Sequence, residues 1–335
     1  KWETSRQFDV GLDLGLFDQQ VRLTADYYRK NTEDLILPVT LPFGTGFGSA
    51  IKNTGSILNE GIELALQTFV QAGAFSWTSN ANFATNRNEV IDLGESDRFF
   101  GPSMLPGESE GALIEEGRPI GVFWGYETDG IINDEAERDA LGYGVLGGLK
   151  IIDQNDDGAI SPADYTVIGN PHPAFTYGWT NTFTYRALSL TAVVQGVYGN
   201  DVWNMNLNSL EHTDLELNST VRRYEERWTP DNAQNATFPR AGFDQNEYSR
   251  TDFLVEDGSY LRLRTVTLGY ELPAQRLGLQ RLRLYVQGQN LLTITDYTGL
   301  DPDVNTFGQG SINTGFDNAA YPLAQEFTVG VDIDF

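Results

Sequence analysis

Twelve residues near the middle of the chain, Asp153–Asp164 with the sequence DQNDDGAISPAD, have the donor spacing of a calcium-binding loop. Such a loop binds the ion through oxygen donors at positions one, three, five, seven, nine and twelve, and a glycine at position six makes the turn. The side-chain donors here are Asp153, Asn155, Asp157, Ser161 and Asp164, and the carbonyl donor at position seven is Ala159. The sequence therefore predicts Ca²⁺ as a structural cofactor of this loop.

An aspartate at position twelve leaves a second reading of this loop open. Asp164 stands where a glutamate is usual, and its shorter side chain reaches the ion less readily with both oxygens. The alternative is a turn rich in Asp and Asn that binds no ion. A calcium sensor works by moving the helices beside its loop. The flanking residues 120–131 and 165–175 have extended rather than helical patterns, so a bound ion is expected to rigidify the loop and not to act as a switch.

The elements that must position this loop are β-strands. Residues 8–16, FDVGLDLGL, place apolar side chains at every second position and Asp or Gly between them, which is the period of a half-buried strand. The same alternation recurs in residues 21–28, 60–69, 75–86, 175–185, 188–199, 260–272, 281–295 and 327–335. The apolar parity shifts between Leu263 and Val266, which predicts a β-bulge there.

The connections between these strands alternate in length. They are short after Phe17, Val70, Tyr185 and Leu272, and long near residues 30–58, 88–172, 200–256 and 296–322. Short turns at one end and long loops at the other are typical of outer-membrane barrels, whereas a soluble β-sandwich gives no reason for this asymmetry. We therefore predict an all-β fold, a transmembrane antiparallel β-barrel with long extracellular loops. Aromatic residues expected at its membrane interfaces are Trp77, Tyr177, Trp179 and Tyr185, although each alone is equally compatible with a core position.

The number of predicted strands indicates that the barrel is larger than this chain. Bacterial single-chain barrels have even strand numbers, and an open sheet in lipid would leave two edges of unpaired backbone groups. Nine is an odd number, and a nine-stranded sheet that does not close would leave its two edge strands unpaired in lipid. We therefore interpret residues 1–335 as the C-terminal part of a barrel, with residues 88–172 as an extracellular region that contains the calcium-type loop.

Composition excludes several other functions. The chain has no cysteine and only two histidines, His172 and His212, so neither thiolate chemistry nor a histidine metal cluster is expected. A formal net charge of −25 argues against nucleic acid as a partner. No nucleophile-elbow pattern or serine–histidine arrangement occurs, and abundant carboxylates single out no acid–base pair. The protein is therefore predicted not to be an enzyme.

Seven segments in register resemble a known family over essentially the whole chain. They are QFDVGLDLGLFDQQVRLTADYYRKNTEDLI, IKNTGSILNEGIEL, GRPIGVFWGYETDGI, IIDQNDDGAISPADYTVIGNPHPAFTYGWTNTFTY, VVQGVYGNDVWN, SYLRLRTVTLGYELP and GQNLLTITDYTGLDPDV. Together they resemble the C-terminal portion of SusC/RagA-type TonB-linked outer-membrane proteins. The resemblance implies a barrel of 22 strands with a plug, of which about nine would lie here. It also implies a SusD-like surface lipoprotein, the TonB complex acting through a plug segment not in this sequence, and import of an oligosaccharide or a peptide.

Two alternatives to this function remain. One is an iron-chelate (siderophore) receptor of the same superfamily, and the other is a surface β-protein with calcium-stapled loops and no transport. Candidate solute contacts are the aromatic residues Trp203, Tyr224 and Trp228 in the region 200–256. Polar residues expected to face the barrel interior are Asn80, Asn82, Asn86, Thr180 and Thr182. In a protein that binds no solute, the polar residues would still be expected in a water-lined barrel wall, and the aromatic residues in the buried core of a loop.

Overall fold

The computed structural model describes most of the chain. The described residues are 2–335 apart from 41–43, 45, 47–48, 54, 95–96, 102–110, 211–217, 243–249, 275–277, 305 and 307–311. Among them, no helix is long and apolar enough to cross a membrane.

Among the described residues, nine long strands form one antiparallel sheet in the order of the sequence, and the short strand Arg87–Asp92 joins it as a tenth. The long strands are β1 (Thr4–Leu16), β2 (Val21–Glu33), β3 (Ser56–Ala72), β4 (Phe75–Ala84), β5 (Phe175–Tyr185), β6 (Leu188–Tyr198), β7 (Tyr260–Leu272), β8 (Arg281–Thr295) and β9 (Glu326–Asp334). All nine predicted strands and their order are confirmed. Within the described part of the chain, β1 and β9 each pair on one side only, so the sheet is open.

The predicted bulge lies in β7. The register of β7 shifts between Leu263 and Thr265 against β8, and the register with β6 shifts at the same place. One additional residue, Arg264, is accommodated there, which is why the apolar parity of this strand changes along its length. The parity shift in the sequence is therefore explained by the structure.

One face of the sheet is apolar from strand to strand. A single register row on this face crosses eight strands through Leu14, Leu23, Leu66, Ala81, Trp179, Val194, Leu263 and Leu292. A second row consists of Val70, Trp77, Phe183, Leu190, Leu268, Val286 and Val329. Many of these side chains remain exposed, such as Leu66 at 42% and Val329 at 81%. Because exposed apolar surface on this scale is costly in water, this face requires an apolar environment.

The opposite face is polar. One of its rows consists of Phe69, Thr78, Thr182, Thr191, Thr267, Gln287 and Thr328. Hydroxyl and amide groups join neighbouring strands in this row: the hydroxyls of Thr182 and Thr191 lie 3.1 Å apart, and Thr267 donates to Gln287 at 3.1 Å. A sheet with one apolar and one polar face matches the wall of a barrel with a wet interior.

Aromatic rings lie at both ends of the apolar face on β4, β5 and β6. At the end with the long connections, the Phe175 ring lies 5.2 Å from Phe83 and 5.0 Å from Tyr198. At the short-turn end, the rings of Trp77 and Phe183 are stacked with centroids 6.3 Å apart. Aromatic residues are enriched at both interfaces of membrane proteins, and the prediction of interfacial aromatics agrees with these positions.

Trp179 is an exception, since it lies near the middle of β5. Beside it, Ser79 and Asn181 are paired in register on the apolar face and are only 8% and 7% exposed. The indole of Trp179 donates to the Ser79 hydroxyl at 2.8 Å, and that of Trp77 donates to the Asn181 carbonyl at 3.0 Å. The interfacial position predicted for Trp179 is therefore wrong, and its ring instead satisfies a polar group at mid-depth.

The four long connections contain short elements. Four pairs of short strands form two-stranded sheets: Ile36–Thr40 with Ser49–Asn53, Arg98–Phe100 with Leu113–Glu115, Phe123–Gly125 with Thr166–Gly169, and Thr128–Ile131 with Leu149–Ile151. A three-stranded sheet has Asp201–Asn204 in its middle, between Val255–Asp257 and Phe316–Asp317. The strand Arg87–Asp92 pairs with β3. In the described parts of these connections, the α-helices are α1 (Glu135–Leu141), α2 (Met205–Leu210) and α3 (Val221–Glu226), and 3₁₀ turns occur at Pro162–Asp164, Ala233–Asn235 and Asp252–Leu254. We call these connections together the loop cap.

Two apolar cores hold the loop cap together. The first contains Ala112, Phe123, Leu149, Trp203, Met205, Leu207, Leu254 and Phe316, which come from three different connections. The second contains Ile57, Val90, Leu93, Phe99, Ile114 and Ile120, with Leu35 and Ile312 packed against it. All four long connections therefore contribute residues to these two cores.

Candidate functional site on the polar face and the loop cap

The predicted calcium loop lies in the loop cap between two short strands, Leu149–Ile151 and Thr166–Gly169. Its first half is organised by side chains that accept backbone N–H groups. Asp153 accepts from Gly158 at 2.8 Å, and Asn155 accepts from Asp157 at 2.8 Å. The Gly158 N–H is the main reason why the pKa of the Asp153 carboxyl lies below its usual range. The carboxylate is thus held in the charged form that a cation requires.

The second half of the loop turns around Asp164. This carboxylate is fully buried, and its two oxygens accept the N–H groups of Gln154 at 3.1 Å and Ser161 at 2.8 Å. The Ser161 hydroxyl in turn accepts from Ala163 at 3.2 Å, which completes a capping box around the 3₁₀ turn. Asp164 therefore joins the two ends of the predicted twelve-residue loop.

The donor types of the loop fit a hard cation, but their side chains are occupied with backbone groups. Asp157 also accepts a backbone hydrogen bond, from Ala159 at 2.9 Å. Over the described ranges, no group of three or more His, Cys, Asp or Glu side chains is gathered as an ion would need. The calcium site therefore stays a prediction. The strands on both sides confirm that the flanks of the loop are not helical.

The polar residues predicted to face a barrel interior lie on the polar face. Asn80 pairs with Thr180 in register, and Thr182 lies in the adjacent row. A groove of about 530 Å³ on this face includes Gln67, Asn80, Asn82, Thr176, Thr180 and Gln195 in its lining. Asn86 follows the end of β4 and accepts a hydrogen bond from the Tyr28 hydroxyl at 2.9 Å. These amides and hydroxyls offer uncharged hydrogen-bonding groups to a polar solute.

The three aromatic residues proposed as solute contacts differ in how deeply the structure buries them. Trp203 is only 2% exposed, and its ring packs edge-on against Phe123 and stacks with Phe316 in the first core. The interpretation of Trp203 as a solute contact is therefore wrong, because its ring is needed for packing. Tyr224 is 69% exposed, and Trp228 is partly buried.

A buried ion pair that the sequence did not reveal fixes the β8–β9 connection to the sheet. The Arg262 guanidinium, 1% exposed, pairs with Asp301 and with Asp303, and also donates to the Thr293 hydroxyl at 3.0 Å. Nearby, the Tyr297 hydroxyl donates to Asp317 at 2.6 Å, and burial together with this carboxylate raises the pKa of Tyr297. The only signal in the sequence was an arginine at a polar-face position of β7, which does not indicate burial.

Comparison with known proteins gives a consistent match. Residues 1–107 match the family model described as TonB dependent receptor-like, beta-barrel. Over its whole length the chain is 37% identical to TonB-dependent receptor P3 and 35% identical to TonB-dependent receptor P26, both of Formosa agariphila. It is 24% identical to TonB-dependent receptor SusC of Bacteroides thetaiotaomicron.

The chain spans about a third of the length of the proteins that it matches. It covers 34% of P3, 35% of P26 and 32% of SusC. Among solved structures, the RagAB peptide transporter superposes on the whole of this chain and on 35% of its own chain, with a TM-score of 0.83 and 25% identity. The open, nine-stranded sheet is therefore part of a larger barrel of this type.

Proposed function

The chain is part of a TonB-dependent receptor β-barrel of the SusC and RagA type, and we propose on this basis that it works in the active import of a nutrient, an oligosaccharide or a peptide. Barrels of this family lie in the outer membrane of bacteria, and they are transporters rather than enzymes. The observation that carries the proposal is the sheet with two faces. Its apolar rows suit lipid, and its polar face supplies amides and hydroxyls to an aqueous interior.

We further propose that the loop cap is extracellular and contacts a SusD-like surface lipoprotein. The cap forms at the end of the sheet where the connections are long, and outer-membrane barrels place long loops outside the cell. One of the matched structures is a complex named RagAB, described as a peptide transporter. Energy would come from the TonB complex through a plug segment that this sequence does not contain.

Deleting the gene should abolish energy-dependent uptake of the nutrient, and the native protein should purify with a lipoprotein. The measurement is uptake of labelled oligosaccharides and peptides by cells with and without a protonophore, followed by mass analysis of complexes from the outer-membrane fraction. We expect a mass for the native protein well above the 37.2 kDa of these residues, since its relatives are about three times as long. Unchanged uptake of every nutrient tested, together with a barrel protein that purifies alone, would contradict the proposal.

We propose in addition that Ca²⁺ acts as a structural staple of the loop at 153–164. The donors would be Asp153, Asn155, Asp157, Ser161 and Asp164 with the carbonyl of Ala159. Support comes from the closed shape of the loop, in which Asp164 joins both ends, and from the lowered pKa of Asp153. Millimolar calcium outside cells is sufficient to fill a weak site of this kind.

Removing calcium should loosen this loop and leave the sheet intact. Hydrogen exchange of peptides covering 153–164 should rise with a chelator, while exchange in β5 and β6 should not change. The variant Asp157→Asn should show the higher exchange even with calcium present, because a charged ligand is lost. Asp139→Asn, an exposed aspartate on α1, is the control and should behave like the unmodified protein. Equal exchange with and without chelator would exclude a bound ion, and collapse of the whole barrel would exclude a local staple.

A further inference from the structure

A groove of about 420 Å³ lies in the loop cap where β7 begins and β8 ends. Its floor is apolar and consists of Leu207, Phe238 and Phe253. Phe238 is 3% exposed, and its ring packs edge-on against Phe253 with centroids 5.4 Å apart. The floor is thus a rigid aromatic surface rather than a gap between loops.

The rim of this groove carries an excess of negative charge. Among the described residues that line it are four carboxylates, Glu226, Glu256, Asp257 and Asp296, and one guanidinium, Arg222. The two oxygens of Glu256 accept hydrogen bonds from the backbone and the hydroxyl of Thr298 at 2.7 and 2.6 Å. Glu256 therefore has a structural role, and the remaining carboxylates determine what the groove attracts.

Two aspartates of the rim keep most of their capacity to accept hydrogen bonds. Asp257 uses one oxygen for the N–H of Ser259 at 2.8 Å. Asp296 is exposed, and its side chain makes no hydrogen bond with any described residue. Their negative charges stand at the edge of an apolar floor, where the field is screened less than on an open surface.

One cation already occupies part of this surface. The Arg222 guanidinium lies 4.8 Å from the centre of the Phe238 ring. A guanidinium over an aromatic face is attracted by the ring electrons, and more strongly when the pair is shielded from water. Arg222 is therefore an internal example of a cation on this surface. Asp257 and Asp296 remain available to pair with a second cation.

We propose that this groove binds a basic side chain, lysine or arginine, of a peptide solute. The aliphatic stem of the side chain would pack on Phe253 and Leu207, while its charged head would meet Asp257 and Asp296. A neutral oligosaccharide would leave these charges without a partner. The inference rests on the proposed import function, since it selects peptides with basic residues among the nutrients considered there.

Equilibrium binding to the purified full-length protein tests the groove without requiring transport. One probe is a blocked pentapeptide with a central arginine, and the second has citrulline, its neutral isostere, at the same place. A neutral glucose tetrasaccharide is the third. We expect the arginine peptide to bind about three- to tenfold more tightly than the citrulline peptide, as expected for contacts with two exposed charges. The difference should shrink at high salt.

Two double variants that each remove two negative charges distinguish binding in the groove from attraction by the overall negative charge of the protein. Asp257→Asn/Asp296→Asn should remove most of the preference for arginine. Asp231→Asn/Glu135→Gln, at exposed positions away from the groove lining, should keep it. Equal binding of the two peptides, equal loss in both variants, or competition by the tetrasaccharide would overturn the inference. If the arginine peptide binds more tightly but cells take up no peptide, the result contradicts the import function and not the basic-residue site, because binding needs no energy source.

Discussion

Replacing Arg262 by methionine should release the β8–β9 connection from the sheet. The Arg262 side chain is 1% exposed and Asp301, its main partner, is 8% exposed, so the variant leaves a buried carboxylate without its counter-charge. Breaking a buried pair in this way costs about 3–5 kcal/mol. Asp301 also accepts the N–H groups of Asp303 at 2.9 Å and Leu323 at 3.2 Å, so the effect should spread along this connection.

Hydrogen exchange measures this effect where it arises. Amides in residues 297–304 and 321–325 should exchange faster in Arg262→Met, while those in β5 and β6 should keep their protection. The double variant Arg262→Met/Asp301→Leu should recover most of the lost protection, because neither charge then remains buried. Arg281→Met is the matched control. Both side chains of its pair with Glu271 are exposed to solvent, so this variant should lose far less protection than Arg262→Met. An effect of Arg262→Met no larger than that of Arg281→Met would show that the pair does not anchor the connection.

Placing an arginine at Val329 should cost about 2–4 kcal/mol of unfolding free energy if the apolar face lies against lipid. Val329 is 81% exposed, lies on the apolar face of the sheet, and is near the middle of β9. The cost of a charge is greatest near the middle of the membrane. The measurement is denaturant unfolding of the full-length protein refolded into lipid vesicles.

The adjacent residue provides the control for this prediction. Thr328 precedes Val329 on β9 and points to the polar face, in the row of Gln287. Thr328→Arg should therefore be tolerated, because its side chain remains in water. Leu14→Arg, on the apolar face of β1, should repeat the loss found at Val329. Similar, near-neutral results for all three variants would contradict a lipid-facing surface.

The sheet could be predicted from the sequence because its signals are local. Each strand alternates apolar and polar residues over its own length, and each short turn separates two such runs. The same logic predicts the bulge near Arg264, since one residue inserted relative to β6 reverses the parity of everything that follows in β7. The interior polar residues followed from parity too, as Asn80 and Thr180 illustrate.

The loop cap could not be predicted in this way, because its contacts join residues far apart in the chain. Phe123, Trp203 and Phe316 form one aromatic cluster, yet they come from three different connections with no regular period. Nor does alternation distinguish a tryptophan at a membrane interface from one at mid-depth, so the pattern predicts an interfacial position for Trp179, whereas its ring lies near the middle of β5. The calcium loop is a different case. Its donor spacing can be seen in the sequence, but binding of the ion depends on geometry and conditions that spacing does not determine.

The second core of the loop cap has a consequence for how the protein is made. Leu35, from the first long connection, and Ile312, from the last, both pack against it. When the ribosome has synthesised this chain through β8, Ile312, which covers part of this core, has not yet been made. The side of the core against which Ile312 packs must therefore stay uncovered until the connection between β8 and β9 has been made. Contacts this distant in sequence form slowly, so a holding chaperone before membrane insertion would have the most to protect at this end of the molecule.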